Sequence, residues 1–240
     1  MKPTLFVSDL HLAGERPQIC AVFFDFVKNV ASQAQALYIL GDLFEYWIGD
    51  DDLDEPLNAS VADALGGLGA SGITVYFLHG NRDFLIGPAF AARAGATLIS
   101  DPTTVDLHGT RTLLMHGDTL CTDDVEYQKF RATARNPKFQ ADFLAQPVAA
   151  RRQRVGQLRE MNAQAKQAKS AEIMDVSPAT VEDTLRQFDY PRLIHGHTHR
   201  PARHVHVVDG RTCERWVLND WYERGGYLRC DASGCAAVLL

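Results

Sequence analysis

Short apolar runs stop at polar residues again and again along the chain. T-L-F-V-S (4–8) stops at Asp9, A-L-Y-I-L-G (36–41) at Asp42, and I-T-V-Y-F-L-H-G (73–80) at Asn81. R-T-L-L-M-H-G (111–117) contains His116, and R-L-I-H-G (192–196) leads into His197. Each run is short and bounded by glycine or a polar residue, which predicts a buried strand. Between the early runs, apolar residues recur at i, i+3 and i+4. Residues 17–34 show this with Ile19, Val22, Phe23, Phe26, Val27 and Val30, and 56–69 and 88–95 behave alike. That period predicts helices, and strand–helix–strand alternation predicts an α/β domain. After Pro201 the strand pattern returns in H-V-H-V-V, R-W-V-L-N, Y-L-R-C and A-A-V-L-L, with turns at Asp209-Gly210, Gly225-Gly226 and Ser233-Gly234. Residues 121–172 differ: they are helix-rich, broken at Asn136-Pro137 and Gln146-Pro147. They predict a helical insertion in a single domain spanning 1–240.

Composition adds limits. An apolar share of 46% with 22% charged residues suits a globular chain with a sizeable core. No apolar run approaches the roughly 20 residues that span a bilayer. The opening residues, interrupted by Asp9, do not read as a signal peptide, so a cytoplasmic protein is expected. Five cysteines without a C-x-x-C pair argue against a thiolate zinc site or a disulfide framework. The net charge of −6 hides an asymmetry. Residues 121–170 hold ten Lys/Arg and five acids, a balance of +5, which leaves −11 on the rest. A basic island on an acidic protein points to an anionic partner or to a solvated helical face.

The polar residues ending the strands carry the chemistry. S-D-L-H gives Asp9 and His11; G-D-L-F-E gives Asp42; H-G-N-R-D gives Asn81 and Arg82. M-H-G-D gives His116, and I-H-G-H-T-H gives His195 and His197. In α/β folds, ligands bind at the carboxyl ends of strands, so these segments converge on one edge. In D-x-H and H-x-H the two side chains share a side of an extended chain and can grip one cation. Asp, Asn and His together suit Mn²⁺, Fe²⁺ or Zn²⁺. Seven such ligands exceed the need of one ion, and a bridging Asp would give a two-metal geometry.

The series D-x-H, G-D-x-x-E, G-N-x-D, H-G and G-H-x-H resembles the calcineurin-like metallophosphoesterase superfamily from Asp9 to His199. The resemblance implies a four-layered αββα sandwich and a dinuclear centre. It implies that Asp9, His11 and His197 hold one ion, that Asn81, His116 and His195 hold the other, and that Asp42 bridges. His199 receives no ligand role. Many members read G-N-H-[DE], where the His assists a leaving alkoxide; here Arg82 stands in that place. Arginine keeps its proton and clamps phosphate oxygens, so Arg82 favours cleavage of a pyrophosphate, whose leaving group is already stable.

Longer stretches, A-L-Y-I-L-G-D-L-F-E-Y-W-I-G-D-D, H-G-N-R-D-F-L-I-G, M-H-G-D-T-L-C-T-D-D and L-I-H-G-H-T-H-R-P, are similar to the branch that hydrolyses UDP-2,3-diacylglucosamine in Gram-negative bacteria. This implies two Mn²⁺ ions and attack of an activated water on the α-phosphorus. The products would be UMP and 2,3-diacylglucosamine 1-phosphate, a step of lipid A synthesis. The insertion would form a lid over two acyl chains, lined by residues such as Phe130, Phe139, Phe143, Leu144, Val148, Val155 and Leu158. Its basic face would lie on the anionic, cytoplasmic side of the inner membrane, as a peripheral monomer without a nucleic-acid partner. Substrate contacts implied by the resemblance are Asn81, Arg82, Asp124, Tyr127, Asn162, Lys166, Lys169 and His195. The alternative is a metallophosphoesterase acting on another nucleotide pyrophosphate or phosphodiester.

Overall fold

The computed structural model describes residues 2–168 and 175–240, and the side chains of all of these but 159–168. The first half alternates as the pattern predicts: β1 (Thr4–Val7), α1 (Pro17–Asn29), β2 (Ala36–Ile39), α2 (Pro56–Ala70), β3 (Thr74–Leu78), α3 (Pro88–Arg93) and β4 (Ala96–Ile99). A hairpin follows, β5 (Thr103–Leu107) and β6 (Thr110–Leu114). Then come α4 (Val125–Ala134), α5 (Pro137–Leu144), α6 (Val148–Ala168) and α7 (Pro178–Gln187). The chain closes with β7 (Arg192–His195), β8 (Ala202–Val208), β9 (Arg211–Val217), β10 (Gly226–Asp231) and β11 (Gly234–Leu239). Helices α1, α2, α3, α5 and α7 each begin at a proline, whose fixed φ and missing N–H suit the first helical position.

Two sheets form, ordered β11-β10-β1-β2-β3-β4 and β5-β6-β7-β9-β8. Strand alternation then writes the layers. Leu5, Val7, Leu37, Ile39, Val75 and Phe77 face α1–α3, while Phe6, Tyr38 and Leu78 face the other sheet. From the second sheet, Leu114 and Ile194 meet that same inter-sheet core, and Leu113 and Leu193 face Val181 and Leu185 of α7. The result is an αββα sandwich. Phe6, Tyr38 and Tyr76 stack between the sheets at centroid distances of 5.0 and 4.5 Å. β1–β2–β3 are parallel, as are β6–β7–β9, so their carboxyl ends lie along one edge.

Three features depart from the sequence pattern. β4 and β5 lie at sheet edges, and their short, half-exposed sequences A-T-L-I and T-T-V-D-L are broken by threonine or aspartate, so neither carries a long apolar run. α7 follows the insertion and supplies the fourth layer. Cys230 and Cys235 sit opposite each other in the β10–β11 register and are joined in a disulfide, which their sequence spacing of five did not suggest. No helix among the described residues is long and apolar enough to cross a membrane.

Candidate metal centre and its cavity

His195 is the last residue of β7; each of the other candidate ligands follows a strand end by two to four residues, and the backbone there is unusual. Asp9, His11, Asp42, His197 and His199 all have φ between 49° and 69°. This left-handed region is costly for most residues, but Asp and His visit it more readily. Such turns swing side chains to one side just past the sheet edge, and their clustering at one place marks a functional site. Glycine makes room for them. A Cβ on Gly196 would collide with Asp9 and Ser8, and one on Gly80 with the Asp42 carboxylate.

Two triads result. In the first, Asp9 Oδ1 lies 3.4 Å from His199 Nε2, which lies 3.4 Å from His11 Nε2. In the second, Asn81 Oδ1 lies 2.9 Å from both His116 Nε2 and His197 Nδ1. Asp42 spans them: Oδ2 is 3.9 Å from His11 Nε2 and Oδ1 is 3.8 Å from His116 Nε2. The outer atoms are fixed from behind. Asp9 Oδ2 accepts from Ser8 Oγ (2.6 Å) and the His197 amide (2.9 Å). His116 Nδ1 donates to the Leu40 carbonyl at 2.9 Å. Glu45 stands 3.3 Å behind His11 Nδ1, and Asp220 stands 3.3 Å behind His199 Nδ1. Carboxylates and carbonyls in these places set the tautomer and aim the other ring nitrogen inward.

His195 departs from expectation. Its Nε2 lies 3.1 Å from Arg215 Nη1, and a guanidinium can only donate, so Nε2 accepts. Nδ1 then donates to the Gly196 carbonyl at 2.9 Å. Both nitrogens are committed away from the triads, and burial with the Arg215 charge brings the ring down to about 3. The two histidines that the fold brings to the triads therefore stand two residues further along than expected: His197 lies beside Asn81, which also meets His116, and His199 lies beside Asp9 and His11. Alternation along an extended chain serves 195/197 and 197/199 equally, so it could not choose. The left-handed φ of His197 and His199, which His195 lacks, does choose.

The donors fit divalent cations. Asp9 Oδ1 is buried with no hydrogen-bond partner, a costly state unless a positive charge meets it. Burial opposes a charged imidazole at His116, yet Asp42, Asp9 and Asp118 push it up to about 9. The centre thus has an excess of negative charge in a buried place. Asp83 accepts from the amides of Leu43 (2.7 Å) and Gly80 (2.9 Å) and ties the two glycine turns together. Burial and Asp42 push it up to about 7.

A cavity of about 790 Å³ opens from the triads toward the insertion. His11, Asp42, Asn81, Arg82, His197 and His199 line it from the strand ends, and Phe130, Phe139, Phe143, Val155 and Leu158 line it from the insertion. Phe84, Asp124 and Tyr127 also line it. Of the apolar residues expected on the lid, Leu144 and Val148 are not on the wall. The side chains of Asn162 and Lys166 and the whole of Lys169 lie outside the described residues.

The sequence profile of calcineurin-like phosphoesterases matches residues 2–201. The chain belongs to this family. It is 54% identical to the UDP-2,3-diacylglucosamine hydrolase of Aromatoleum aromaticum, over 98% of this chain and 96% of that one. It is 52% identical to the proteins of that name from Cellvibrio japonicus (97% of each chain) and Xanthomonas campestris pv. campestris (99% and 98%).

In this calcineurin-like phosphoesterase, polar anchors hold the insertion to the sandwich. Asp118, fully buried, accepts from Tyr127 Oη and from Arg131 Nε, each at 2.7 Å. Its carbonyl accepts from Gln128 Nε2 at 2.8 Å. Arg135 donates to the Gly80 carbonyl at 2.8 Å. Arg151, buried on α6, reaches the Ile48 carbonyl and Asp51, and Arg152 pairs with Asp52. Several cations of the basic island therefore face acids of the sandwich. Sequence reasoning missed His199, Glu45, Asp220 and Asp118 as parts of the site. Glu45 and Asp118 were visible within G-D-L-F-E and M-H-G-D, and only the fold brings Asp220 to them.

Proposed function

We propose that this protein hydrolyses the pyrophosphate of UDP-2,3-diacylglucosamine, giving UMP and 2,3-diacylglucosamine 1-phosphate. The observation that carries this is the cavity itself. Its metal-ligating wall suits a pyrophosphate, and its aromatic wall, on the insertion, suits acyl chains. The names of the relatives at 52–54% identity support the same substrate.

Asp9, His11 and His199 would hold one Mn²⁺ ion and Asn81, His116 and His197 a second, with Asp42 shared. Two cations bound there supply Lewis acidity and a water acidic enough to attack near neutral pH. The water oxygen bonds to the α-phosphorus as the bond from that phosphorus to the bridging oxygen breaks. The bridging oxygen leaves with the electron pair, as part of the lipid 1-phosphate, and the water's proton is released. Arg82 lines the cavity and has no ion pair among the described residues, so its guanidinium is available to phosphoryl oxygens. Its amide donates to Asp42 Oδ1 at 2.8 Å, which fixes the shared carboxylate. Tyr127 gives its hydroxyl to Asp118, so its ring, 5.7 Å from that of His197, serves as a wall. The insertion, residues 121–172, acts as a lid on a single domain. The enzyme works as a peripheral protein at the cytoplasmic face of the inner membrane, where a diacylated substrate resides.

The test is purified protein with Mn²⁺ and UDP-2,3-diacylglucosamine, reading UMP release. Turnover is expected. No turnover, or equal turnover of UDP-N-acetylglucosamine without the acyl chains, contradicts the assignment.

A further inference from the structure

A second cavity, of about 260 Å³, lies on the other side of the Thr198–Arg200 turn. Thr198 and Arg200 line both cavities, and His199 between them belongs to the first triad. The two spaces are therefore separated by the turn that carries the candidate ligands. Their chemistry differs. Where the wall of the larger one includes four phenylalanines, the smaller one has none and sets Arg215, His204, Thr198 and Asp175 beside Pro201 and Val217.

Arg215 is the unusual member. Its side chain is buried at 6% exposure, and no carboxylate among the described residues pairs with it. Two neutral imidazoles hold it instead: Nη1 donates to His195 Nε2 and Nε donates to His206 Nε2, each at 3.1 Å. Arg215 also lines the cavity, and its guanidinium is held in place because Nε and Nη1 are both tied down. On the same wall, Thr198 Oγ1 is buried without a hydrogen-bond partner. A buried polar atom left unmatched costs stability unless something fills it.

We propose that this second cavity seats the uracil end of the nucleotide. The inference rests on the nucleotide-sugar substrate proposed above. That substrate has two ends of opposite character, joined at the bond that breaks. The aromatic cavity suits the acyl end, so the nucleoside needs another place within reach of the same phosphates. Uracil offers two carbonyl oxygens and one N–H. Arg215 Nη2 and His204 can donate to the carbonyls, and Thr198 Oγ1 or Asp175 can accept the N–H. His195 thereby acquires a role as a positioning residue: it aims Arg215 and does not hold a cation.

The test compares inhibition by UMP and by ribose 5-phosphate, which carries the phosphate and sugar without the base. Mn²⁺-loaded enzyme is assayed on bis(p-nitrophenyl) phosphate, so the result does not depend on the lipid substrate. UMP is expected to inhibit the wild type at least about tenfold more strongly, as for a site built to hydrogen-bond a base. Ala202→Trp fills the cavity from the exposed strand β8 and is expected to bring the two inhibitors within about twofold. Arg215→Met is expected to do the same, and Ala202→Trp decides if the buried substitution does not fold. Equal inhibition of the wild type by both, or unchanged discrimination in Ala202→Trp, overturns the proposal. If UDP-2,3-diacylglucosamine is not hydrolysed but the discrimination is present and lost in Ala202→Trp, the substrate assignment fails and the uracil site stands.

Discussion

At the floor of the main cavity, Asp9, His11, Asp42 and His116 are at most 2% exposed and stand just beyond short strands of a packed sandwich. On the insertion, Phe130 is 46% exposed on α4, and among the described side chains the insertion buries little besides Cys121, Ala134, Phe143 and Arg151. The floor is positioned by strands with core on both faces and by left-handed turns. The insertion, the proposed lid, is positioned by a few polar anchors, among them Asp118 and Arg151, which are buried. The floor should therefore fail through chemistry when it is altered, and the lid through binding.

The largest effect should come from the residue shared by both triads. Asp42→Ala is expected to lower turnover by at least about 10³-fold, because both ions lose a ligand. The melting temperature of the metal-free protein should not fall, since a carboxylate crowded against buried Asp83 is removed. A large drop in stability with activity retained would break the contrast. Next comes the anchor between floor and lid. Asp118→Asn removes the charge that Arg131 and Tyr127 share, and KM for UDP-2,3-diacylglucosamine should rise about tenfold with kcat within threefold. An equal fall in kcat would mean that Asp118 serves the floor instead. The smallest effect belongs to the lid wall. Phe130→Ala should raise that KM about threefold, since its ring is only half-buried, and leave the melting temperature unchanged. A change in kcat alone would contradict a binding role.

The floor was largely legible in the sequence because strand ends and candidate ligands follow local rules. The runs ending at Asp9, Asp42 and Asn81 each located a residue that the fold brings to the centre. The choice within H-G-H-T-H was not legible from alternation, because side-chain period two is blind to a shift of two. It depends on backbone turns at His197 and His199 and on Arg215, which lies on a different strand. The lid was legible as helices but not as a surface. Arg131, Arg151 and Arg152 read as part of a basic face, yet their partners Asp118, Asp51 and Asp52 face them from the sandwich. Charge counted along the chain cannot tell a solvated face from one that docks.

The shifted histidine pair is tested most directly by Mn²⁺ stoichiometry, measured by equilibrium dialysis on the wild type, His199→Ala and His195→Ala at one metal concentration, the lowest that saturates the wild type. Two ions are predicted for the wild type, two for His195→Ala and one for His199→Ala. Two ions in His199→Ala with one in His195→Ala would contradict the account.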